Sequence, residues 1–151
     1  MSMEDMADME ELHWKLSILG AIDVGIVVVN KHYQIQIWNE FMENHSGLLP
    51  SSVREQSLFK VCPEIDADWL QRKARVAWEL GSRSFITWQQ RPYVFRFGNY
   101  RPVTGRSEWM YQNITLLPLA SPRGDIEHLC LIVYDVTEQA ISSLESTKRA
   151  K

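Results

Sequence analysis

The clearest pattern of apolar and polar positions is a pair of adjoining strand-like segments near the start of the chain. Residues 26–29 form a continuous run of β-branched side chains, which favours a buried, extended backbone. Asn30 then opens a break, and asparagine tolerates the left-handed geometry that a tight hairpin demands. The alternation that follows predicts a half-exposed strand with Tyr33, Ile35 and Ile37 on one face.

Two helices are predicted from their end signals as well as from their apolar spacing. The first is short, with Asn39 as its predicted N-cap and Gly47 as the residue that ends it. The second covers residues 66–80, where apolar side chains recur at helical spacing and a glycine follows. Either Asp66 or Asp68 is its N-cap. Between these helices, the proline and serine positions predict one or two further short helices.

The second half of the chain is predicted to consist mainly of strands. They are expected at residues 84–90, 110–119 and 129–134, with a further strand at 93–97, where aromatic side chains occupy every second position. The segment 129–134, like 26–29, is apolar without alternation, which is typical of a strand buried on both faces. We therefore expect these two segments to be central strands.

The N-terminal residues predict an amphipathic helix. Met9, Leu12, Leu16 and Leu19 are spaced so that they share one helical face. This stripe suits packing of the helix on its own domain, and it equally suits a dimer interface, because the same spacing forms the seam of a coiled coil. Two heptads do not separate these alternatives, and both can hold together.

Two motifs, in this order, resemble the two ends of a PAS domain. Trp38-Asn39-Glu40 begins a short helix after two strands, and Ser46-Gly47 closes it, as at the opening of that family. Near the other end, Tyr134-Asp135-Val136-Thr137-Glu138 resembles the Asp-x-Thr junction at which PAS domains pass into an output helix. The resemblance covers residues 19–137.

The resemblance implies an α+β fold, in which a five-stranded antiparallel sheet is flanked by short helices and has helical extensions at both ends. The first and last strands would lie side by side in its middle. The short helices would cover one face, and the N-terminal helix or a second subunit would cover the other. The implied divisions are an N-terminal helical extension at 1–20, the PAS domain at 21–137 and the start of a signalling helix at 138–151. Because residues 138–151 carry no helix-ending signal, we expect that helix to continue in a longer protein.

Asp135 and Thr137 are the residues expected to couple the domain to that helix. Their side chains can bond to backbone groups that become free where the last strand ends. Thr137 is the predicted N-cap of the helix that starts at Glu138.

The composition narrows the classes of function. The chain has 151 residues, which fits one domain, and its net charge of −3 argues against nucleic acid as a partner. No apolar run is long enough to cross a membrane. Cys62 and Cys130 are far apart in sequence, which favours a reduced, cytoplasmic setting. The four histidines lack metal-ligand spacing and no catalytic motif occurs, so we expect no metal and no enzymatic activity in this region.

No cofactor is expected. The flavin-adduct members of the family carry Asn-Cys-Arg, whereas Lys60-Val61-Cys62-Pro63 lacks the asparagine and the arginine. The histidine that several haem-binding members use on the long helix is absent from residues 66–80. Haem ligated by Cys62, whose Cys-Pro pair resembles that of haem-regulated proteins, or by His45 is the alternative. Cys62 as a small buried apolar group, and His45 as a packed or capping histidine, are preferred.

The resemblance also implies a cavity between the sheet and the short helices, suited to a small organic ligand. The alternative is that the same aromatic side chains simply fill the core. Polar contacts in the cavity would come from Asn113 or Gln112. The candidate lining residues are Phe41, His45, Phe59, Trp69, Trp78, Trp88, Asn113, Ile114 and Leu116.

Residues 91–108 form an arginine-rich segment in an otherwise acidic chain. Its positive charge comes from Arg91, Arg96, Arg101 and Arg106. A solvated hairpin extension is the preferred interpretation, and a site for an anionic ligand or a partner is the alternative.

Together these patterns predict a homodimeric sensory module that controls a C-terminal output domain in the same chain. The sequence of residues 23–47 is similar to that of bacterial PAS domains that precede diguanylate cyclase (GGDEF) modules. This similarity implies cyclic-di-GMP signalling. The alternatives are the input domain of a histidine kinase and a ligand-free structural dimerisation module. A small α+β enzyme ranks last because no acid–base pair is visible.

Overall fold

The centre of the molecule is a five-stranded antiparallel sheet. The computed structural model describes residues 2–21, 23–98 and 109–150, without the side chains of 16, 19–21, 149 and 150. The strands are β1 (Gly25–Asn30), β2 (Ile35–Trp38), β3 (Ser84–Ile86), β4 (Gln112–Ala120) and β5 (Ile126–Asp135). Their order across the sheet is β2-β1-β5-β4-β3. The predicted sheet and the central position of β1 and β5 are confirmed.

Six helices accompany the sheet in the described part of the chain. They are α1 (Met3–Ala21), α2 (Glu40–Ser46), α3 (Pro50–Val53), α4 (Leu58–Val61), α5 (Ala67–Leu80) and α6 (Thr137–Ala150). The predicted caps are confirmed: the side chain of Asn39 accepts from the backbone of α2, and that of Asp66 does so for α5. Gly47 and Gly81 end these helices in the left-handed conformation that glycine adopts without strain.

The two faces of the sheet have different surroundings. On one face, Val27 of β1 lies beside Leu131 of β5, and both belong to the buried core that helices α2 to α5 cover. On the other face, the strand register places Ile37, Val28, Cys130 and Leu117 in one apolar row across β2, β1, β5 and β4. The short helices therefore cover one face, as expected.

The second strand departs from the predicted alternation. Its partners on β1 shift between Val28 and Val29, so that an extra residue lies in β2. As a result Ile35 is buried, whereas Ile37 points to the outer face and is 40% exposed. The prediction that both share one face is wrong because a β-bulge changes the register, which alternation alone does not reveal.

The strand predicted at 93–97 is absent, and β3 ends at Ile86 rather than at residue 90. Residues 91–97 have no regular secondary structure, and Val94 is buried along with Phe95 and Phe97. Adjacent residues of a strand face opposite sides, so this burial pattern is not that of a strand at a sheet surface. At the base of the arginine-rich segment Gly98 pairs with Trp109, and the rest of that segment, 99–108, lies outside the described residues.

Helix α1 covers most of the predicted N-terminal extension, and its apolar stripe is not buried by the chain. Met9 is 59% exposed and Leu12 is 57% exposed, while the side chains of Leu16 and Leu19 lie outside the described residues. Trp14 and Ile18, which the 3.6-residue repeat places on the opposite side, are exposed to a similar extent. Within one chain, α1 therefore presents apolar side chains on two sides.

Candidate functional site

The end of β5 and the start of α6 form a compact hydrogen-bonded junction. The carboxylate of Asp135 accepts from the backbone N–H of Thr137 at 3.0 Å and from its hydroxyl at 2.6 Å. The Thr137 oxygen in turn accepts from the backbone N–H of Tyr111 at 3.0 Å. The backbone N–H of Val136 donates to the Tyr111 carbonyl at 2.9 Å. The first turn of α6 is therefore tied to the residue just before β4.

These bonds differ from the cap that the sequence predicts. The helix begins at Thr137 rather than at Glu138, and Asp135 rather than Thr137 accepts from the first helical N–H. Thr137 is 3% exposed, and its hydroxyl both donates and accepts. Its role is to join α6 to the neighbouring strand, which a local capping argument does not foresee.

A second polar group, the side chain of Gln112, lies inside the domain at the start of β4. Its amide oxygen accepts from the backbone N–H groups of Val94 and Phe95, each at 3.1 Å. Its amide nitrogen donates to the carbonyl of Phe95 at 2.7 Å. Since residues 91–97 belong to no sheet, Gln112 supplies the partners that a strand ladder would otherwise provide.

The segment held by Gln112 carries aromatic rings into the space between the sheet and the helices. The ring of Phe95 lies 6.5 Å from that of Trp38 and 5.6 Å from that of Phe97. Phe97 stacks on His45 of α2 at 5.8 Å, and His45 lies 4.3 Å from Phe41. This segment thus fills part of the space in which the sequence predicts a ligand cavity.

His45 of α2 is partly buried near the charged group of Asp135. Burial lowers the pKa of its imidazole, while the carboxylates of Asp135 and Asp23 act in the opposite direction. Burial therefore favours the neutral ring in the folded state.

The nine predicted cavity residues fall into separate groups, and their role as ligand contacts stays a prediction. Phe41 and His45 lie beside Phe97, whereas Ile114 and Leu116 lie in the core face of β4. Asn113 points to the opposite face of β4 and accepts from the backbone N–H of Trp88 at 2.9 Å. The remaining three lie elsewhere. Phe59 and Trp78 pack around Tyr33, and the Trp78 indole donates to the Tyr33 hydroxyl at 3.0 Å. Trp69 lies at a surface groove.

The groove at Trp69 has a volume of about 310 Å³ and runs between the start of α5 and residues 91–94. The guanidinium of Arg91 lies 3.9 Å from the centre of the Trp69 ring, which is the geometry of a cation–π contact. Glu64 and Tyr93 complete its rim. Arg91 is therefore engaged with the domain, and Arg101 and Arg106 of the same segment lie outside the described residues.

Cys62 is the other residue considered as a haem ligand. Burial, with a smaller effect from Glu64, raises the pKa of its thiol to about 12, so the neutral thiol prevails near neutral pH. Iron ligation by cysteine uses the thiolate, which this environment disfavours. Within the ranges 2–21, 23–98 and 109–150, we find no group of three or more acidic, histidine or cysteine side chains arranged to hold a metal ion. Among the same residues, no helix is long and apolar enough to cross a membrane.

Sequence reasoning missed three residues of this site. The alternation of Phe95 and Phe97 predicts a strand, and the sequence places Tyr111 simply within the strand predicted at 110–119. The available signal was the aromatic density of residues 93–97, which is unusual for a solvated extension. Gln112 was named as a polar contact for a ligand, and in this structure it contacts the protein's own backbone.

These features are those of a known family. A family model described as PAS fold matches residues 19–141, which is most of the chain. The chain belongs to the PAS fold family.

Solved structures show the same fold. The chain is 30% identical to a sensory box sensor histidine kinase from Vibrio cholerae, over 88% of this chain and 98% of that chain, with a TM-score of 0.61. The PAS domain of a protein from Colwellia psychrerythraea is 14% identical over 84% of this chain and 98% of that one, with a TM-score of 0.61.

A longer structure extends the comparison. Histidine kinase ThkA, solved in complex with the response regulator TrrA, is 21% identical over 89% of this chain, with a TM-score of 0.63. The match covers 35% of the kinase chain, so this chain spans about a third of that protein. The comparison with curated proteins gives no match.

Proposed function

We propose that this PAS domain is the sensory input module of a histidine kinase. Two findings support the proposal: the chain is 30% identical to a sensory box sensor histidine kinase along nearly the whole of that chain, and the junction of Asp135 and Thr137 ties α6 to the sheet. The domain itself carries no catalysis, and its output is the phosphorylation state of a kinase module that follows α6.

The junction is the observation that carries the mechanism. A helix that leaves a domain transmits a change only if its first turn is fixed to an element that itself moves. Thr137 and Val136 supply the attachment because each bonds to Tyr111 at the entry to β4, and we propose that this entry moves with the packing of the domain. A change in the packing between the sheet and α2, or the arrival of a small ligand there, alters the support of α6 and hence its direction.

Assembly as a homodimer is part of the proposal. The two apolar sides of α1 form a large surface for a single chain to leave exposed. The second copy of the chain covers the stripe of Met9 and Leu12, and the continuation of α6 runs beside its counterpart.

A diguanylate cyclase output, expected from the sequence, stays a prediction. The histidine kinase relatives support the other output that was considered from the sequence. The ligand-free dimerisation module is a second alternative, and it predicts the same dimer without any response to an added molecule.

A fusion protein tests the proposal directly. Residues 1–151 are joined to the catalytic core of a histidine kinase, and ATP-dependent autophosphorylation is compared with that of the core alone. Control by the domain is expected to change the rate severalfold, in either direction. Equal rates in the two proteins, with both dimeric, would overturn the proposal.

The absorption spectrum of the purified domain shows whether it binds a coloured cofactor. We propose that the domain binds neither haem nor flavin, so the protein is expected to be colourless. A Soret band would contradict this. The variants His45→Ala and Cys62→Ala would then show which side chain binds the haem iron.

A further inference from the structure

Tyr111 and Gln112 are neighbours in sequence, and each forms hydrogen bonds with a different segment of the chain. The backbone of Tyr111 bonds to Val136 and Thr137 at the start of α6. The backbone N–H of Gln112 donates to the carbonyl of Pro92 at 2.8 Å, and its side chain holds residues 94 and 95. Two adjacent residues therefore connect segment 92–97 with the first turn of the output helix.

We infer that Gln112 is a positioning residue that couples the conformation of segment 92–97 to the start of α6. The inference rests on the proposed function only in giving this coupling a role in signalling. It adds that the regulatory signal passes through the irregular aromatic segment on its way to α6.

Burial makes this coupling strong. Among the residues that the structure describes, Gln112 and Thr137 are polar residues that are almost entirely shielded from solvent. They lie on either side of Tyr111, and each holds backbone groups of another segment. A buried polar group that loses its partner destabilises the fold, so we expect these bonds to break together in a rearrangement rather than singly.

The segment at the other end has the properties of a movable element. Residues 91–97 form no strand ladder, and the backbone N–H groups of Val94 and Phe95 both donate to one side chain, that of Gln112. Phe95 and Phe97 point into the core, where a change in the packing of Trp38 or His45 reaches them directly. A shift of Phe95 moves the groups bonded to Gln112, and Tyr111 is covalently attached to Gln112.

Amide hydrogen exchange by NMR on the 151-residue chain tests the inference. Gln112→Leu keeps a similar volume and removes both amide groups. We expect exchange at Val94 and Phe95 to accelerate at least tenfold, and exchange at Tyr111 and Val136 to accelerate at least fivefold. The amide of Leu131, in the centre of the sheet, is expected to change less than twofold. The matched control is Thr115→Val, a change on the opposite face of the same strand, which should leave all of these rates unchanged.

The reciprocal variant tests the coupling from the other end, and it does so even if Gln112→Leu fails to fold. Thr137→Val removes the acceptor for Tyr111, and coupling between two sites is reciprocal. Exchange at Val94 and Phe95 is therefore expected to accelerate at least threefold.

Two results would overturn the inference. The first is acceleration confined to the mutated end, with the other end at wild-type rates. The second is a uniform acceleration that includes Leu131, because this indicates a global loss of stability. Neither result depends on an output domain. The inference can therefore fail while the kinase proposal stands, and the kinase proposal can fail while the inference stands.

Discussion

At Gly25, strand β1 lies very close to helix α2, which covers it. A Cβ atom built on Gly25 would lie 2.6 Å from the sulfur of Met42, 2.9 Å from Phe41 and 3.0 Å from Val133. The absence of a side chain here lets α2 pack directly on the strand, close to the pair of Phe41 and His45. Glycine is required by this contact rather than by its backbone conformation.

Gly25→Ala is therefore expected to destabilise the domain by about 1–3 kcal/mol, because the added methyl group overpacks a close contact. Urea unfolding measures the change. Gly98→Ala is the matched control: a Cβ atom there meets nothing within 4 Å, so its effect should be much smaller. Equal losses in both variants would contradict the close packing of α2 on β1.

Cys62 gives the domain a dependence on alkaline pH. The pKa of its thiol in the folded state is about 12, above its ordinary value of 9.0. The stability that comes from the neutral buried thiol is therefore complete below pH 9 and is lost as pH rises from about 9 towards 12. Burial raises the pKa of Tyr33 as well, and this acts in the same direction.

We expect the free energy of unfolding, measured in urea from pH 7 to 10.5, to fall above pH 9. In Cys62→Ala the same curve should start lower and fall less steeply, because one of the groups responsible is gone. An unchanged slope would show that Cys62 titrates normally in the folded protein.

At the scale of elements, local signals predicted those features that depend on neighbours in sequence. The caps of α2 and α5, the glycines that end them and the central strands β1 and β5 all follow from short patterns, and all are confirmed. The bulge in β2 and the fold of residues 91–97 do not follow, because both depend on distant partners. Segment 91–97 is shaped by Gln112, about 17 residues away, and an alternating aromatic pattern cannot reveal that bond.

The same distinction applies to the site. Asp135 and Thr137 were predicted as coupling residues from a local motif, and the structure places both in the junction. The connection from Thr137 to Tyr111 spans 26 residues, so a local capping argument assigned the hydroxyl to the wrong partner.

The two confirmed caps differ in what they hold. Asp66 accepts one bond, from the backbone N–H of Trp69 at 3.1 Å, within α5. The side chain of Asn39 accepts from Met42 of α2 at 3.3 Å and from Ile26 of β1 at 3.0 Å, and it donates to the carbonyl of Val24 at 2.8 Å. Asn39 thus fixes a helix to a central strand.

Asp66→Ala is expected to destabilise the domain by about 1 kcal/mol, the usual effect of losing a cap. Asn39→Ala should cost about 2–3 kcal/mol, because partly buried backbone groups of a second element also lose their partner. Urea unfolding of the two variants compares them, and a loss in Asn39→Ala no larger than in Asp66→Ala would mean that the strand contacts contribute little.

At the scale of the whole molecule, the proposed contact between two chains is made by α1. Its stripe of Met9 and Leu12 and its opposite side, with Trp14 and Ile18, are both exposed in the single chain. A double substitution on each side separates their roles. Met9→Lys with Leu12→Lys is expected to weaken the dimer at least tenfold, because charges enter the predicted seam. Trp14→Lys with Ile18→Lys should weaken it less.

Sedimentation equilibrium measures the dissociation constant of the dimer for each variant. Deletion of residues 1–19 removes both apolar sides of α1 together and is measured in the same way. If neither double variant nor the deletion changes the dimer, the interface does not involve α1.

The central claim is that the junction of β5, α6 and Tyr111 carries the signal, and one measurement tests it most directly. In the fusion to a histidine kinase core, Asp135→Ala and Thr137→Ala are compared with the wild type and with Thr115→Val. Each junction variant should lose about 1–2 kcal/mol of stability, a small part of the ~5–15 kcal/mol that is typical of a domain, so the melting temperature falls by only a few degrees. The account predicts that autophosphorylation nevertheless changes at least threefold in both junction variants and stays constant in Thr115→Val. Wild-type rates in both junction variants, in folded and dimeric protein, would contradict it.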